Sequence, residues 1–342
     1  MSKFSLDVLN QCVYPYLKSD DPNVIMGSTF GEDVALTRVG SGLLASHLDP
    51  IVGAVKNIGW LAVHVACNDI ATSGAPPRWI QLLVLVPHKE DKALLTHIMG
   101  DAAKAAGEVG VSIIGGHTGY SASLSRSLVA VTALGTLGDQ PPVLTRGAKL
   151  GDHILITKGI ALEGTAILAC DFASVARVLG LSDKDLDKAK QLMNQVSVIQ
   201  ESLLLAKHGA SAMHDVTRGG LLETLLELAM LSGVGITVAY ERIPIPTVAA
   251  RFATAFGFDP LKMISSGTLV AAVPEEKLAD AKGALYQAGI RFADIGDVHL
   301  GEGVRVLREG ELTIYQDVQP EADELARMWV EFEPDKAQLN QG

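Results

Sequence analysis

The chain has 342 residues, of which 48% are hydrophobic and only 5% aromatic, with 34 glycines and a formal net charge of -11. That length accommodates two domains of ordinary size around an aliphatic, alanine-rich core with many tight turns. The negative balance, with no cluster of Lys or Arg, argues against nucleic acid or an anionic membrane as a bulk partner. No apolar run reaches membrane-spanning length, and Met1-Ser2-Lys3-Phe4 does not begin a signal peptide. Cys12, Cys67 and Cys170 lie far apart without metal-binding spacing, so the expectation is a reduced, soluble, cytoplasmic protein in which they act as small core hydrophobes.

In chain order, residues 1–20 read as a short helix and a tail. Gly27 to Leu36 is a glycine-punctuated loop entering a strand, and Leu43 to Pro50 is a strand ending on Asp49 before proline. An apolar helix follows, from Asn57 past Cys67, and stops at Gly74 ahead of Pro76 and Pro77. Trp79–Val86 is a buried strand and Lys89–Gly107 a helix. Val111–Ile114 reads as a short buried strand running into a loop, Gly115-Gly116-His117-Thr118, and Ser127–Leu137 as another strand. The order β-α-β-α-β-β fits one α/β domain over 1–140. Gly138–Gly151, with two prolines, is the linker. A second domain over 150–335 holds a strand at Asp152–Thr157, a helix from Glu163, a continuous helical run of about seven turns over Asp183–His208, and a short strand ending on Asp215. The helix Leu221–Leu231, five further strand segments and a last helix over Glu321–Val330 complete it, before a polar, frayed end.

Asn68 and Asp69 stand out, because a largely buried helix rarely carries a carboxamide and a carboxylate side by side without partners. Trp60, His64 and Asn68 share one helical face, and Leu61, Val65 and Asp69 the adjacent one. Four other stretches end a strand in a carboxylate or a glycine pair: Gly31-Glu32-Asp33, Leu48-Asp49, Gly115-Gly116-His117-Thr118 and His214-Asp215-Val216-Thr217-Arg218-Gly219-Gly220. Asp33, Asp49 and Asp69 are the hard oxygen donors that magnesium takes together with phosphate and water. Gly115-Gly116 and Gly219-Gly220 would let backbone amides approach a phosphate, and Arg218 could meet one with a forked hydrogen bond. Each also has a plain structural reading: Asp33 and Asp49 as turn residues, the glycine pairs as turns, Arg218 as a cap, His64 as a hydrogen-bonded core histidine. Walker-type and dinucleotide glycine loops, His-Glu-x-x-His and Gly-x-Ser-x-Gly are all absent, which disfavours the common nucleotide loops, zinc hydrolases and serine esterases.

Taken together, Gly-Glu-Asp-Val-Ala at 31–35, Leu-Asp-Pro at 48–50, the run from Ala62 to Pro76, Gly-Gly-His-Thr at 115–118, Asp-Val-Thr-Arg-Gly-Gly-Leu at 215–221 and Ser-Gly-Thr-Leu at 266–269 resemble one superfamily. It contains aminoimidazole ribonucleotide (AIR) synthetase, thiamine-monophosphate kinase, selenophosphate synthetase and the hydrogenase-maturation carbamoyl dehydratase. The last branch is the most similar. The resemblance implies a two-domain α/β (α+β) fold: an N-terminal half-barrel sheet completed by homodimerisation and a C-terminal α/β sandwich. It implies ATP and Mg2+ as cofactors, with Asp33, Asp49, Asp69 and Asp215 as metal ligands. Gly31, Asn68, Gly115, Gly116, His117, Thr118, Gly219 and Gly220 would serve the nucleotide, and Asp215, Arg218 and His117 the chemistry.

There are departures. The dehydratase branch carries a cysteine at its extreme C-terminus, whereas this sequence has none after Cys170; it has a lysine where Gly119 stands, and a glutamate where Ser266 stands. The expectation is therefore an ATP- and Mg-dependent enzyme that activates an oxygen on a small or carbamoyl-type substrate. The rivals are a small-molecule kinase and a non-catalytic nucleotide-binding factor working with a metalloenzyme-maturation partner.

Overall fold

The computed structural model describes residues 4–17, 19–51, 57–318 and 323–335. A short helix α1 (Leu6–Cys12) precedes β1 (Val24–Met26), β2 (Ala35–Val39), β3 (Gly42–Ile51), α2 (Ile58–Thr72), β4 (Pro77–Val86), α3 (Lys92–Val109), β5 (Ser112–Tyr120) and β6 (Leu128–Leu137). These strands form one sheet in the order β1-β2-β3-β6-β4-β5, antiparallel except for the β4–β5 pair. The second half contains β7 (His153–Thr157), α4 (Leu162–Asp171), α5 (Ala173–Val178), α6 (Asp183–Lys190), α7 (Ile199–Lys207), β8 (Ala212–Asp215) and α8 (Gly220–Ser232). It continues with β9 (Gly235–Ala239), α9 (Thr247–Phe256), β10 (Leu269–Val273), α10 (Glu275–Gln287), β11 (Phe292–His299), β12 (Val304–Arg308), β13 (Glu311–Tyr315) and α11 (Glu324–Glu331). Its sheet runs β13-β12-β9-β11-β7-β10-β8, with β12–β9 the parallel pair. The mixed α/β architecture with two sheets is the one expected. The start of the last helix and the polar end anticipated from sequence fall partly outside the described residues.

The central element is α2. Every residue of it except Trp60 is buried, as its almost uninterrupted apolar sequence requires. Ile58, Ala62, Val63, Ala66, Cys67 and Ile70 pack into the first sheet's core, while Leu61 and Val65 join the helices of the second half around Phe172 and Phe252. The helix is thus sandwiched between the halves and carries Asp69 to their junction. His64 takes the plain structural role: its Nε2 lies 3.2 Å from Glu108 Oε2, and burial keeps its imidazole below the ordinary pKa.

Two sequence expectations need correction. The run Asp183–His208 is not one helix; it breaks after a 3-10 turn at Gln191–Gln195, and α7 begins only at Ile199. Asn68 fills the break. Its Nδ2 donates to the Val196 carbonyl at 2.8 Å and its Oδ1 accepts from the Val198 amide at 2.9 Å, so two backbone groups that a continuous helix would pair internally are paired across the domains instead. Gly115–Thr118 is likewise not a loop after a buried strand. It lies inside β5, an exposed edge strand. Gly116, at φ 145°, is there because a Cβ would collide with the Leu82 backbone of β4, next to a register shift in the pairing.

Replacing Asn68 with Ala strands both buried backbone groups, and we expect a loss of about 2–4 kcal/mol of unfolding free energy. Denaturant titration of both proteins measures it.

Candidate metal and substrate site

The carboxylates expected from sequence converge where the halves meet. Asp33 precedes β2, Asp49 lies late in β3, Asp69 in the last turns of α2, and Asp215 ends β8. Asp33, Asp69 and Asp215 are buried, Asp215 completely. Asp33 Oδ2 accepts from Thr72 Oγ1 at 3.0 Å, one helical turn beyond Asp69, and Asp33 Oδ1 lies 3.2 Å from His214 Nε2. Asp33, His214 and Asp215 place potential donor atoms within 4.8 Å of one another.

His214 is better understood as a fixed positive charge than as a ligand. Its Nδ1 contacts its neighbour's carbonyl, Asp215 O, at 2.6 Å, and its Nε2 is shared between Asp33 and Glu227 Oε2, the latter at 3.1 Å. Burial alone would push the imidazole down, but the Asp33, Glu227 and Asp215 carboxylates outweigh it and lift the pKa to about 10. Both ring nitrogens therefore carry protons directed at acceptors, and neither offers a lone pair to a metal.

The remaining charges are not balanced. Asp69 is held well above the usual carboxylate range by burial and by the neighbouring Asp215, Asp33 and Asp49 charges. Burial, with Asp33 and Asp49, pushes Asp215 up to about 8. Asp69 and Asp215 lie close enough to share a proton; among the described residues neither buried Asp215 oxygen accepts any other hydrogen bond, and His214 Nδ1 stays 3.9 Å from Oδ1. Carboxylate oxygens buried in this way are of the donor type that a bound cation would satisfy.

Other anticipated residues have different placements. Gly31 packs against α8 beside Glu227 and Leu231. Asn68 is committed to the clamp described above rather than to phosphate or water. His117 stands on a rung of the sheet that continues through Leu83 and Ala130 to Pro50, so it is three strands, about 14 Å, from the β3 end of the site. Gly115, Gly116 and Thr118 share that edge strand, and the structure does not bring any of the four to the carboxylates within this chain. Gly219 and Gly220 do open α8, but the Glu223 carboxylate already lies over Gly219, where a phosphate would have to approach. Arg218 is half-buried next to that turn, and its charge acts on Glu163.

Glu163, His47 and Glu227 were not singled out from the sequence, and His214 stood in the candidate stretch before Asp215 without a role of its own. Glu163, in the first turn of α4, is buried; its Oε2 accepts from the Ser266 amide at 3.3 Å. Burial raises its pKa, opposed by that hydrogen bond and by Arg218. His47 Nε2 lies 3.3 Å from Asp69 Oδ2. For Glu163 and Glu227 the available signal was a carboxylate within a largely apolar helix, shared with Asp171 in α4 and Glu223 in α8.

The AIR synthase related protein N-terminal domain family matches residues 31–137, and its C-terminal domain family matches residues 149–308. The chain belongs to the AIR synthase related family. It is 30% identical over 279 residues to the carbamoyl dehydratase HypE of Bradyrhizobium diazoefficiens, covering 78% of each protein. Among solved structures it is similar to a HypE–HypF complex (TM-score 0.72, 22% identity, 91% of this chain and 99% of that one). It is also similar to AaThiL complexed with AMPPCP and TMP (TM-score 0.67, 19% identity, 84% and 90%). At these identities the solved structures support the fold.

Two outcomes follow from the charge balance. Cation binding requires Asp69 and Asp215 without their protons, so affinity should rise with pH up to the neighbourhood of pH 8, and binding should release protons; calorimetry in buffers of different ionisation enthalpy measures both. In the metal-free protein these carboxyls hold protons more tightly folded than unfolded, so the stability they contribute at low pH is lost as pH rises through their folded pKa values. Melting temperature should therefore fall from about pH 4 to about pH 8, and Asp215→Asn should flatten that slope and raise the metal-free melting temperature by several degrees.

Proposed function

We propose that the chain is an ATP- and divalent-cation-dependent enzyme of the HypE-like branch, which activates an oxygen on a small, carbamoyl-type second substrate. The observation carrying this reading is Asp215, fully buried against Asp69 from the other half of the chain, with neither oxygen accepting a hydrogen bond from any other group among the described residues. The named activity of the HypE relative and the AMPPCP held by AaThiL support the same class of reaction.

Asp33, Asp49, Asp69 and Asp215 would hold divalent cations on the nucleotide phosphates. The ions would supply charge neutralisation and orientation there. The chain's own residues provide the rest. His214 and Thr72 fix the Asp33 carboxylate; α2 and β8 deliver Asp69 and Asp215 from opposite halves, so their spacing depends on domain register. Arg218 and Glu163 place a donor and an acceptor beside the carboxylates, suited to a second substrate that has both a carbonyl or phosphate oxygen and an N–H. Catalysis would then rest on positioning and charge neutralisation rather than on a covalent enzyme intermediate.

The exposed edge β5, with Ile114 and Tyr120, and the exposed Leu48 on β3 fit a homodimer that extends the first sheet. A maturation partner of the kind seen in the HypE–HypF complex belongs to the same proposal. The likeness to AaThiL supports a second reading, a small-molecule kinase.

Asp69→Ala should abolish magnesium-dependent ATP binding in calorimetry while circular dichroism is unchanged; unaltered nucleotide affinity would overturn the assignment. Phosphorus NMR with ATP and a panel of acceptors separates the two reactions: a phosphorylated product indicates a kinase, ADP and free phosphate with a dehydrated product the proposed enzyme. Ile114→Glu should convert the protein to a monomer in light scattering.

A further inference from the structure

His47 has no part in the reading above, and its position is specific. On β3, residues 45, 47 and 49 alternate onto one face, which places His47 beside Asp49, with the buried Ala45 next along. From there His47 Nε2 approaches Asp69 Oδ2 to 3.3 Å, with the imidazole still a quarter exposed. Two donor atoms bound side by side on an octahedral ion with bonds near 2.1–2.2 Å stand about 3 Å apart. The His47–Asp69 pair therefore already has the spacing of neighbouring ligands on one ion. The second observation is independent of it: Asp215, against Asp69, presents two buried oxygens that, among the described residues, accept no hydrogen bond from any group other than Asp69. His214, the other imidazole in the cluster, has both nitrogens committed to acceptors.

We propose that His47 is a direct nitrogen ligand to the divalent cation held by Asp69 and Asp215, and that this position takes an imidazole-accepting ion, Mn2+ or Co2+, in preference to Mg2+. This rests on the cation-dependent reading given above and names the ion at one of its positions. The chemistry is that of donor type. Magnesium is a hard ion that keeps water and oxygen ligands and gains little from imidazole, whereas Mn2+, Co2+ and the later divalent ions accept it readily. The same 3.3 Å also suits an ion pair between His47 and Asp69, and metal competition separates that role from ligation.

The test uses the whole chain with Mn2+ as the probe, with and without ATP. Electron spin-echo modulation of the bound Mn2+ should show a nitrogen coupling in the unaltered protein and lose it in His47→Gln. In competition titrations the unaltered protein should prefer Mn2+ to Mg2+ by about tenfold or more, and His47→Gln should lower Mn2+ affinity by about tenfold while changing Mg2+ affinity less than about threefold. His47→Ala, checked for an unchanged melting profile, is the second variant, so that a local distortion caused by Gln is not mistaken for the result. No nitrogen coupling in the unaltered protein, or a coupling that survives both substitutions, overturns the proposal. So does an equal loss of Mn2+ and Mg2+ affinity, which would show that His47 only balances the Asp69 charge. If no divalent ion binds the unaltered protein under any of these conditions, the cation-dependent reading itself fails, a result distinct from binding without nitrogen.

Discussion

The site depends on one carboxamide. Asn68 grips the Val196 carbonyl and the Val198 amide, and it is the residue immediately before Asp69. Successive residues on a helix differ by about 100° in direction, so fixing the rotation of α2 at Asn68 also fixes where Asp69 points. The clamp joins the same two bodies that contribute Asp69 and Asp215. A small slide of one half over the other would separate those carboxylates, and it would also break two buried hydrogen bonds. Domain register and site geometry are therefore one constraint.

What that register brings together is costly to hold. Asp33, Asp69 and Asp215 are removed from water with Asp49 near them, and among the described residues the imidazoles facing them are the buried His214 and the partly exposed His47. The fold responds in two ways. It satisfies Asp33 fully, through Thr72 and His214, and it leaves Asp69 and Asp215 to share protons. Local stability has been given up at the place where a cation would restore it, which is the usual relation between a strained charge cluster and its ligand.

The sequence was legible where a residue violated its local environment. Asp69 in an apolar helix, and Asp33, Asp49 and Asp215 near the limits of strands, could be found because a carboxylate is out of place there. The strands and helices themselves followed from periodicity. Asn68 was singled out for the same reason, but its partners lie 128 and 130 residues away, and nothing local separates a carboxamide that binds phosphate from one that pairs backbone. The Gly115-Gly116 pair read as a turn because its cause, the closeness of Leu82 on the neighbouring strand, is a property of pairing rather than of the pair. The break near Val196 did leave a local sign, the weak helix formers Asn194, Val196, Ser197 and Val198 with the helix-start spacing Ser197-Val198-Ile199-Gln200, but the apolar periodicity on either side masked it. His47 looked like one more residue of a half-buried strand.

Contacts from elsewhere in the chain converge on a single stretch of backbone. Lys158, half-buried and paired with Glu201 at 2.6 Å, donates to the carbonyls of Gln195 and Ser197. Gly267 packs against Gln195, and Asn68 completes the set from the first half. Lys158 belongs to the loop that leads into α4 and so to Glu163, and Gly267 follows Ser266, whose amide holds the Glu163 carboxylate. The non-helical turn at 195–198 thus aligns three things at once: the helix that carries Asp69, the loop that carries Glu163, and the segment that orients Glu163 toward Arg218. Had the helix continued through these residues, its carbonyls and amides would have been satisfied internally, and it would have had no means of registering the two halves. The broken helix is the feature by which an otherwise ordinary pair of α/β layers is held at the separation its carboxylates need.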